Sequence, residues 1–390
     1  MYKIAVLHRY PVQQVLGTNA SFLEFIKSLI SKESKVYYLT YKDSGISPEI
    51  EGLTYIRLPF TFNRGDNRDK LIKTLIWIAL SPFYVLYMQV KYSLDLVYCD
   101  DSVPYYGFLS KLLSPFSKVV IRLGDLQTGY SLSDSNPDLF KLAIFFETLM
   151  WKYVDGLVAI SKPFKRYLVS LGIEDKKIEV VEESINLSNR VSFEVLERDS
   201  SNINLLFHGA LLKCKGVETL IEALEILNNS KTKRFTLTIA GGGDEEHSLK
   251  TLVQEKGLQN VKFTGWYNHQ KLDEIMKNTD ISIVMRSTNM ANNFVVTTCL
   301  LENWAAGKPV IAPNLESFRG VIDNWKNGVL FEAGNANDLA SKIMELSIQK
   351  EAWTNMAIEG IKSAEKYFDH KMIANKMSNS LVSLIKSNEK

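Results

Sequence analysis

The sequence is short of cysteine: it has three in 390 residues, Cys99, Cys214 and Cys299, odd in number and far apart. That spacing argues against a disulfide framework and points to a reducing compartment, the cytoplasm. An excess of charge of one sign is also lacking, since 46 Lys and Arg face 44 Asp and Glu. No basic field is available to hold nucleic acid, and there is no acidic tail. The five histidines, His8, His208, His247, His269 and His370, show no ligand spacing with cysteine or with one another, so no metal site is expected. Several catalytic signatures are missing too. The nearest approach to the dinucleotide fingerprint G-x-G-x-x-G, at Gly241 and Gly243, has Glu246 in third place. Neither a nucleophile elbow nor a phosphate-cradling Gly-Lys-Ser/Thr occurs, and there are no short repeats or low-complexity tracts.

A clean membrane span of about 20 apolar residues is absent. The N-terminal MYKIAVLHR reaches His8 and Arg9 after a short apolar run, too short for a signal-peptide core, and reads as a first strand. The longest apolar stretch, Leu71 to Val90, is interrupted by Lys73, Ser81, Pro82 and Gln89. It is expected to be a buried helix broken near Pro82. The alternative is a peripheral membrane contact through residues 71–90, flanked by Arg64, Arg68, Lys70, Lys73 and Lys91.

What is present is an ordinary globular balance, 46% hydrophobic and 23% charged, over a length that favours two domains. Strand-like runs alternate with helical stretches: IAVL, KVYYLT, TYIRL, LDLVYC, KVVIRL, GLVAIS and IEVV in the first half. The charged, irregular stretch from Ser188 to Asn202 breaks the series and reads as a linker. A second series follows, INLLFHG, FTLTIAG, VKFTG, DISIVM, KPVIAP and GVLFE. Alternation of this kind implies two doubly wound parallel-sheet α/β domains, each binding its ligands beyond the carboxyl ends of the strands.

Two loops of the second half carry chemistry. In FHGALLKCKGVETLIEA a strand ends at His208-Gly209 and a helix begins after Lys215-Gly216; glycine lets a phosphate approach the backbone and the lysine supplies a point charge. In NNFVVTTCLLENWAAGKPVIAP, Thr297 and Thr298 precede a helix carrying Glu302. A helix N-terminus suits a diphosphate, and a carboxylate one turn further in can accept hydrogen bonds from ribose hydroxyls. Leu300, Leu301 and Trp304 surround that carboxylate with apolar neighbours, where an unpaired charge is costly.

In the order Gly209–Ala223 (G-x(5)-KG-V-x(2)-LI-x-A), IAGGG at 239–243, FTGW at 263–266, DISIV at 280–284 and LLENWAAGKPVIA at 300–312, these segments resemble the donor domain of glycosyltransferase family 4 and its GT-B relatives. The resemblance spans about Asn204 to Leu346. It implies a GT-B fold, α/β, with two Rossmann-like domains facing across a cleft. It further implies a retaining, metal-independent transfer of a hexose from a nucleotide-sugar donor, and no other cofactor. Lys215 would meet the donor diphosphate, Glu302 the ribose, and the backbone near Thr297 and Thr298 the phosphates, with Gly209 at the close approach.

Two charges common in the family are missing: Ala210 stands where an arginine is usual, and Phe294 where a glutamate is usual. A subgroup without that glutamate has Pro-Thr-Lys where this chain has Thr297-Thr298-Cys299. Arg286, at the end of DISIVMR, is the candidate replacement cation, its rival reading being a surface arginine; His208 is a weaker candidate. In the N-terminal half, Gly17-Thr18-Asn19 opens a helix where the family has a glycine pair near the donor phosphates. Arg122 to Tyr130 lies where relatives have His-Asp, with Gly124 in place of the histidine. Asp125 there is a candidate catalytic or positioning residue, or else a helix cap. Asp100-Asp101 is expected to be a strand-end pair of ordinary exposure.

The expected domains are 1–195 for the acceptor, 203–365 for the donor, and 366–390 as a helix returning to the first. The activity expected is hexosyl transfer to a glycan or lipid-linked acceptor at or near the cytoplasmic membrane face. A catalytically silent nucleotide- or carbohydrate-binding subunit, and a GT-B epimerase or phosphorylase, are the alternatives.

Overall fold

The computed structural model describes residues 1–9, 18–42, 48–61, 67–100, 103–187, 202–229 and 234–386. The chain forms two compact units, 1–186 with 370–390, and 187–369. The passage between them lies at 186/187 and the return at 369/370, against expected boundaries of 195, 203 and 365.

In the first unit β1 (Tyr2–Leu7), α1 (Thr18–Ile30), β2 (Ser34–Lys42), β3 (Leu53–Thr61), α2 (Asn67–Tyr92), β4 (Leu96–Asp100), α3 (Pro104–Leu113), β5 (Lys118–Leu123), α4 (Gln127–Leu132), α5 (Pro137–Tyr153), β6 (Gly156–Ala159), α6 (Lys162–Ser170) and β7 (Ile178–Val180) follow one another. The seven strands are those read from the sequence. They form one parallel sheet in the order β3-β2-β1-β4-β5-β6-β7. The apolar runs of β1, β4 and β6 are buried on both faces, as parallel strands between helix layers require, whereas the edge strands β3 and β7 keep exposed residues, Arg57 and Glu179.

The second unit contains β8 (Asn202–His208), α7 (Glu218–Asn228), β9 (Arg234–Ala240), α8 (Glu246–Glu255), β10 (Val261–Phe263), α9 (His269–Lys277), β11 (Ile281–Ile283), α10 (Thr298–Ala305), β12 (Val310–Pro313), α11 (Glu316–Arg319), β13 (Val329–Phe331), α12 (Ala336–Ile348) and α13 (Lys350–Phe368). Its parallel sheet runs β10-β9-β8-β11-β12-β13. The apolar face expected on α7 is buried: Val217, Leu220, Ile221, Leu224 and Leu227 all lie in the core. Each contributes about 1.5–3 kcal/mol of burial.

The final helix, α14 (His370–Lys386), rejoins the first unit. Ile373, Ala374, Met377, Leu381 and Ile385 enter the core formed by β1, β2 and α1. Ser28 of α1 hydrogen-bonds Ser378 at 2.6 Å.

The apolar segment 71–90 corrects one expectation. It is neither broken nor mostly buried, since α2 runs unbroken through Pro82. Trp77, Ser81, Val85 and Met88, at spacings of four, four and three, make the buried stripe. Ile72, Leu75, Phe83, Leu86, Tyr87 and Val90 stay exposed. Among the described residues, Ile72–Tyr92 is the one helix long and apolar enough to cross a membrane, with a mean hydropathy of 1.2. Arg64 lies outside the described residues.

Candidate nucleotide site

Strand β8 ends at His208 and the chain crosses over through α7 to β9, which lies parallel beside it. Gly209, at φ +135°, and Gly241, at φ +144°, pack so closely that a Cβ on Gly241 would stand 1.9 Å from the Gly209 carbonyl oxygen. A Cβ on Gly209 would stand 3.3 Å from Cys299 Sγ. The glycines thus bring the β8 loop against the start of α10.

The loop continues through a short 3-10 turn at Lys213–Lys215. A second loop, after β11, is laced to it: Ser287 N donates to the Cys214 carbonyl at 3.0 Å, and Asn292 Nδ2 donates to the same carbonyl at 3.0 Å. Asn292 Oδ1 in turn accepts from Arg286 Nη1 at 3.1 Å. Arg286 is 8% exposed, which sets aside the surface-arginine reading. Lys215 keeps partial exposure. Desolvation, and then the Arg286 charge, lower its pKa to about 8. Two cations therefore lie close together, an arrangement that an anion relieves.

At the start of α10 the Thr297 hydroxyl accepts from Leu300 N at 3.3 Å and caps the helix, with Thr298 as its first residue. One turn in, Glu302 is 24% exposed, and desolvation followed by the Asp273 charge raises its pKa to about 7. His208 is buried, with Nε2 3.1 Å from Asn303 Oδ1 and Nδ1 3.2 Å from the Tyr267 hydroxyl. Desolvation is the main cause holding its pKa down at about 4, so the ring is neutral near pH 7. With Asn303 Oδ1 accepting, Nε2 carries the proton and Nδ1 accepts from Tyr267. Its 3.7 Å approach to Glu302 Oε2 is accordingly not an ion pair.

The fold thus gathers Gly209, Lys215, Arg286, Thr297, Thr298 and Glu302 around one set of loops. Sequence reasoning missed Asn292, which ties the two loops, and Tyr267 and Asn303, which hold His208. It also missed a grouping that spacing cannot reveal: His208, Cys299 and Glu302 offer ligand atoms within 4.8 Å of one another. The histidines show no ligand spacing along the sequence, and this grouping arises only in the fold. Against a metal ion there stand two engaged ring nitrogens and the neighbouring Lys215 and Arg286. Phe294 is buried.

The N-terminal candidates are more scattered. Gly17 lies outside the described residues. Thr18 opens α1 and Asn19 follows it, and their side chains lie outside the description. Asp125 follows β5, where its Oδ2 accepts from Gln127 Nε2 at 2.8 Å. It does not cap α4, whose N-cap is Leu126. Arg122 donates to Glu183 Oε1 at 2.9 Å and lies 3.5 Å from Asp100 Oδ1. Asp100 is 10% exposed and bonded into this group, which corrects the expectation of an ordinary exposed strand end. Asp101 lies outside the described residues.

Residues 188–363 match the model of the family described as glycosyl transferases group 1. The chain is 27% identical over 214 residues to the uncharacterized glycosyltransferase MJ1069 of Methanocaldococcus jannaschii, covering 53% of this chain and 54% of that one. It is 26% identical over 318 residues to an uncharacterized 41.2 kDa protein in the cps region of Klebsiella pneumoniae, covering 79% and 83%. With the lipopolysaccharide core biosynthesis glycosyltransferase LpsE of Rhizobium meliloti it shares 25% over 166 residues, covering 42% and 45%. The chain therefore spans about half the length of MJ1069 and of LpsE. Among solved structures, sucrose-phosphate synthase of Thermosynechococcus elongatus superposes with a TM-score of 0.78 at 19% identity, covering 99% and 100%. HepE of Anabaena, in complex with UDP-glucose, gives 0.71 at 15%, covering 98% and 100%. Two parallel α/β sheets of seven and six strands, together with these structural neighbours, give the chain the GT-B fold, and its second unit carries the match to the glycosyl transferases group 1.

Proposed function

We propose that the chain is a glycosyltransferase of polysaccharide or lipopolysaccharide assembly, moving a hexose from a nucleotide sugar to a glycan or lipid-linked acceptor. The observation that carries this reading is the pairing of Lys215 with Arg286 beside the capped start of α10 and Glu302. Departure of a sugar leaves negative charge on the diphosphate, and two preorganised cations with a helix N-terminus stabilise that charge. Arg286 then does the work of the arginine replaced by Ala210. Glu302, ionised, accepts the ribose hydroxyls. HepE's complex with UDP-glucose supports a UDP-sugar, and LpsE's name supports the acceptor class.

Transfer proceeds with retention of configuration and without a metal ion, as the resemblance to glycosyltransferase family 4 implies. The local charge supports metal independence, because a divalent cation at His208, Cys299 and Glu302 would be repelled by Lys215 and Arg286. Asp125 of the first unit is the candidate for positioning the acceptor. The protein works at the cytoplasmic face of the membrane through the exposed apolar side of α2.

The deciding experiment is a thermal-shift series with UDP-, GDP-, ADP- and dTDP-sugars on wild type and Glu302→Ala, followed by donor turnover. A base-specific shift lost in the variant, with turnover, supports the reading. A shift without turnover points instead to the silent binding subunit, and epimerised donor without transfer to the epimerase.

A further inference from the structure

Within the first unit a cavity of about 300 Å³ opens where the strand order reverses. Strands β1 and β4 are neighbours there, and the crossover from β1 runs one way to β2 and β3 before the chain returns to β4. Such a switch point leaves a crevice at the carboxyl ends of the strands. His8 follows β1 and Asp100 ends β4; Arg122 lies on β5, and Glu183 follows β7.

Those four polar side chains form one connected chain. His8 Nε2 lies 3.7 Å from Asp100 Oδ2, and its Nδ1 lies 2.9 Å from the Tyr38 hydroxyl. Asp100 Oδ1 accepts from the Tyr98 hydroxyl at 3.3 Å and faces Arg122 Nη1 at 3.5 Å. Arg122 Nη2 donates to Glu183 at 2.9 Å. Desolvation lowers the pKa of Arg122, but Glu183 and Asp100 outweigh it and hold the guanidinium above its ordinary value. The opposite wall is apolar, made by Phe22 of α1 with Ile373, Ala374 and Met377 of α14. His8 stacks on Phe22 with ring centroids 4.4 Å apart.

A cavity with one apolar wall and one rim of fixed acceptors and donors matches a pyranose ring, which offers a C–H face and an edge of hydroxyls. The volume is at the small end of ligand sites, the scale of one sugar. Two carboxylates share the one guanidinium, and both of its forks are directed at them. A further carboxylate, Glu182, is paired with Lys376 at 2.6 Å. A phosphate or uronate entering the cavity would meet Asp100 and Glu183 with like charge, whereas hydroxyls can donate to both.

We infer that this cavity is a subsite for a neutral pyranose unit of the acceptor, in which Asp100 and Glu183 hold sugar hydroxyls and exclude anionic sugars. The inference deepens the transferase reading and rests on it for the word acceptor; the binding itself is measurable without turnover.

The test uses the full chain. Saturation-transfer NMR and calorimetry are run with methyl hexopyranosides, the corresponding methyl hexopyranosiduronates and hexose 6-phosphates, on wild type, Asp100→Asn and Glu183→Gln. The nucleotide-sugar thermal shift on each preparation serves as the control for folding. At least tenfold preference for a neutral glycoside is expected, weakened about tenfold by either variant, with Glu183→Gln also narrowing the discrimination against the uronate. Equal or tighter binding of the anionic sugars overturns the inference. So does absence of glycoside binding to wild type that shifts with nucleotide, or binding unchanged in both variants. Should Asp100→Asn lose its nucleotide shift through misfolding, Glu183→Gln at the cavity rim decides alone. Glycoside binding without donor turnover would retain the sugar site and remove the transferase reading. Turnover without glycoside binding would do the reverse.

Discussion

Lys215 sits desolvated beside Arg286, and the two effects together bring its ammonium down to about 8, while desolvation and Asp273 bring the Glu302 carboxyl up to about 7. Both groups must be charged to hold a nucleotide sugar: the lysine against the diphosphate, the glutamate against the ribose. Affinity is therefore expected to peak between pH 7 and 8. Below 7 Glu302 protonates and loses an acceptor, and the apparent Kd rises up to about tenfold per pH unit. Above 8 Lys215 loses its charge and affinity falls again. Calorimetric titration across pH 5–9 checks this, with Glu302→Gln expected to flatten the acid limb alone. An unaltered acid limb in that variant would take Glu302 out of the site.

Removing either cation tests the charge-compensation argument. Lys215→Met and Arg286→Met are each expected to lower kcat by about 10²–10³, comparable to loss of one preorganised donor at a developing charge. Lys215→Met should keep its folding midpoint, because the bond Lys215 makes in the fold, from its backbone N to the Leu212 carbonyl at 2.8 Å, survives the substitution. Arg286→Met should lose some stability, since it gives up the bond to Asn292 that ties the loop to Cys214. Circular dichroism melts beside single-turnover rates separate the two effects.

Much of this was legible in the sequence, for reasons that differ by element. The thirteen strand segments were readable because each is a short run between turns that alternates with helical stretches, and the central ones, such as β1, β4 and β6, are mostly apolar. Lys215 and Glu302 were readable because their positions relative to a strand end and a helix start were already set locally. Arg286 was named by register, but its burial and its bond to Asn292 were invisible. The group of His8, Asp100, Arg122 and Glu183 could not be read at all, because four segments far apart in sequence meet only once the strand order is known. The misreading of α2 has a simple cause: composition reports how apolar a helix is, not which side a neighbour covers. Only the spacing of Trp77, Ser81, Val85 and Met88 carried that information.

The close approach of Gly209 and Gly241 yields a stability prediction. An alanine at 241 would need φ near +144° and would press its Cβ against the Gly209 carbonyl. Gly241→Ala is expected to destabilise the protein by about 3 kcal/mol and to weaken nucleotide binding by displacing the loop that carries Lys215. Gly257→Ala, at φ +62° with open space around it, isolates the backbone cost and should destabilise by about 1 kcal/mol without touching binding. Urea midpoints of the two variants give the comparison.

Metal independence is open to a direct check. Extensive treatment with EDTA is expected to leave donor binding and transfer unchanged. Added zinc should inhibit only where it captures His208, Cys299 and Glu302 in competition with Lys215 and Arg286. A chelator-sensitive enzyme restored by a divalent ion would reverse the argument from local charge and make that triad the metal site.

The exposed apolar side chains of α2 do not stand alone. Helix α2 packs on α3 and α3 on α5. Leu109 and Leu112 of α3, and Leu142, Phe145, Phe146 and Leu149 of α5, are also exposed. Apolar side chains left in water on three neighbouring helices exceed the scattered exposure usual for a monomer. Lys91 and Lys141 are exposed on the same helices and would meet anionic head groups. Flotation of the protein with vesicles containing anionic lipid is therefore expected, and Phe83→Glu with Phe145→Glu should abolish it while leaving the nucleotide thermal shift intact. Wild-type protein that stays at the bottom of the gradient would remove the membrane from the proposal, and a concentration-dependent dimer lost in the same double variant would put a second copy of the chain on that face instead.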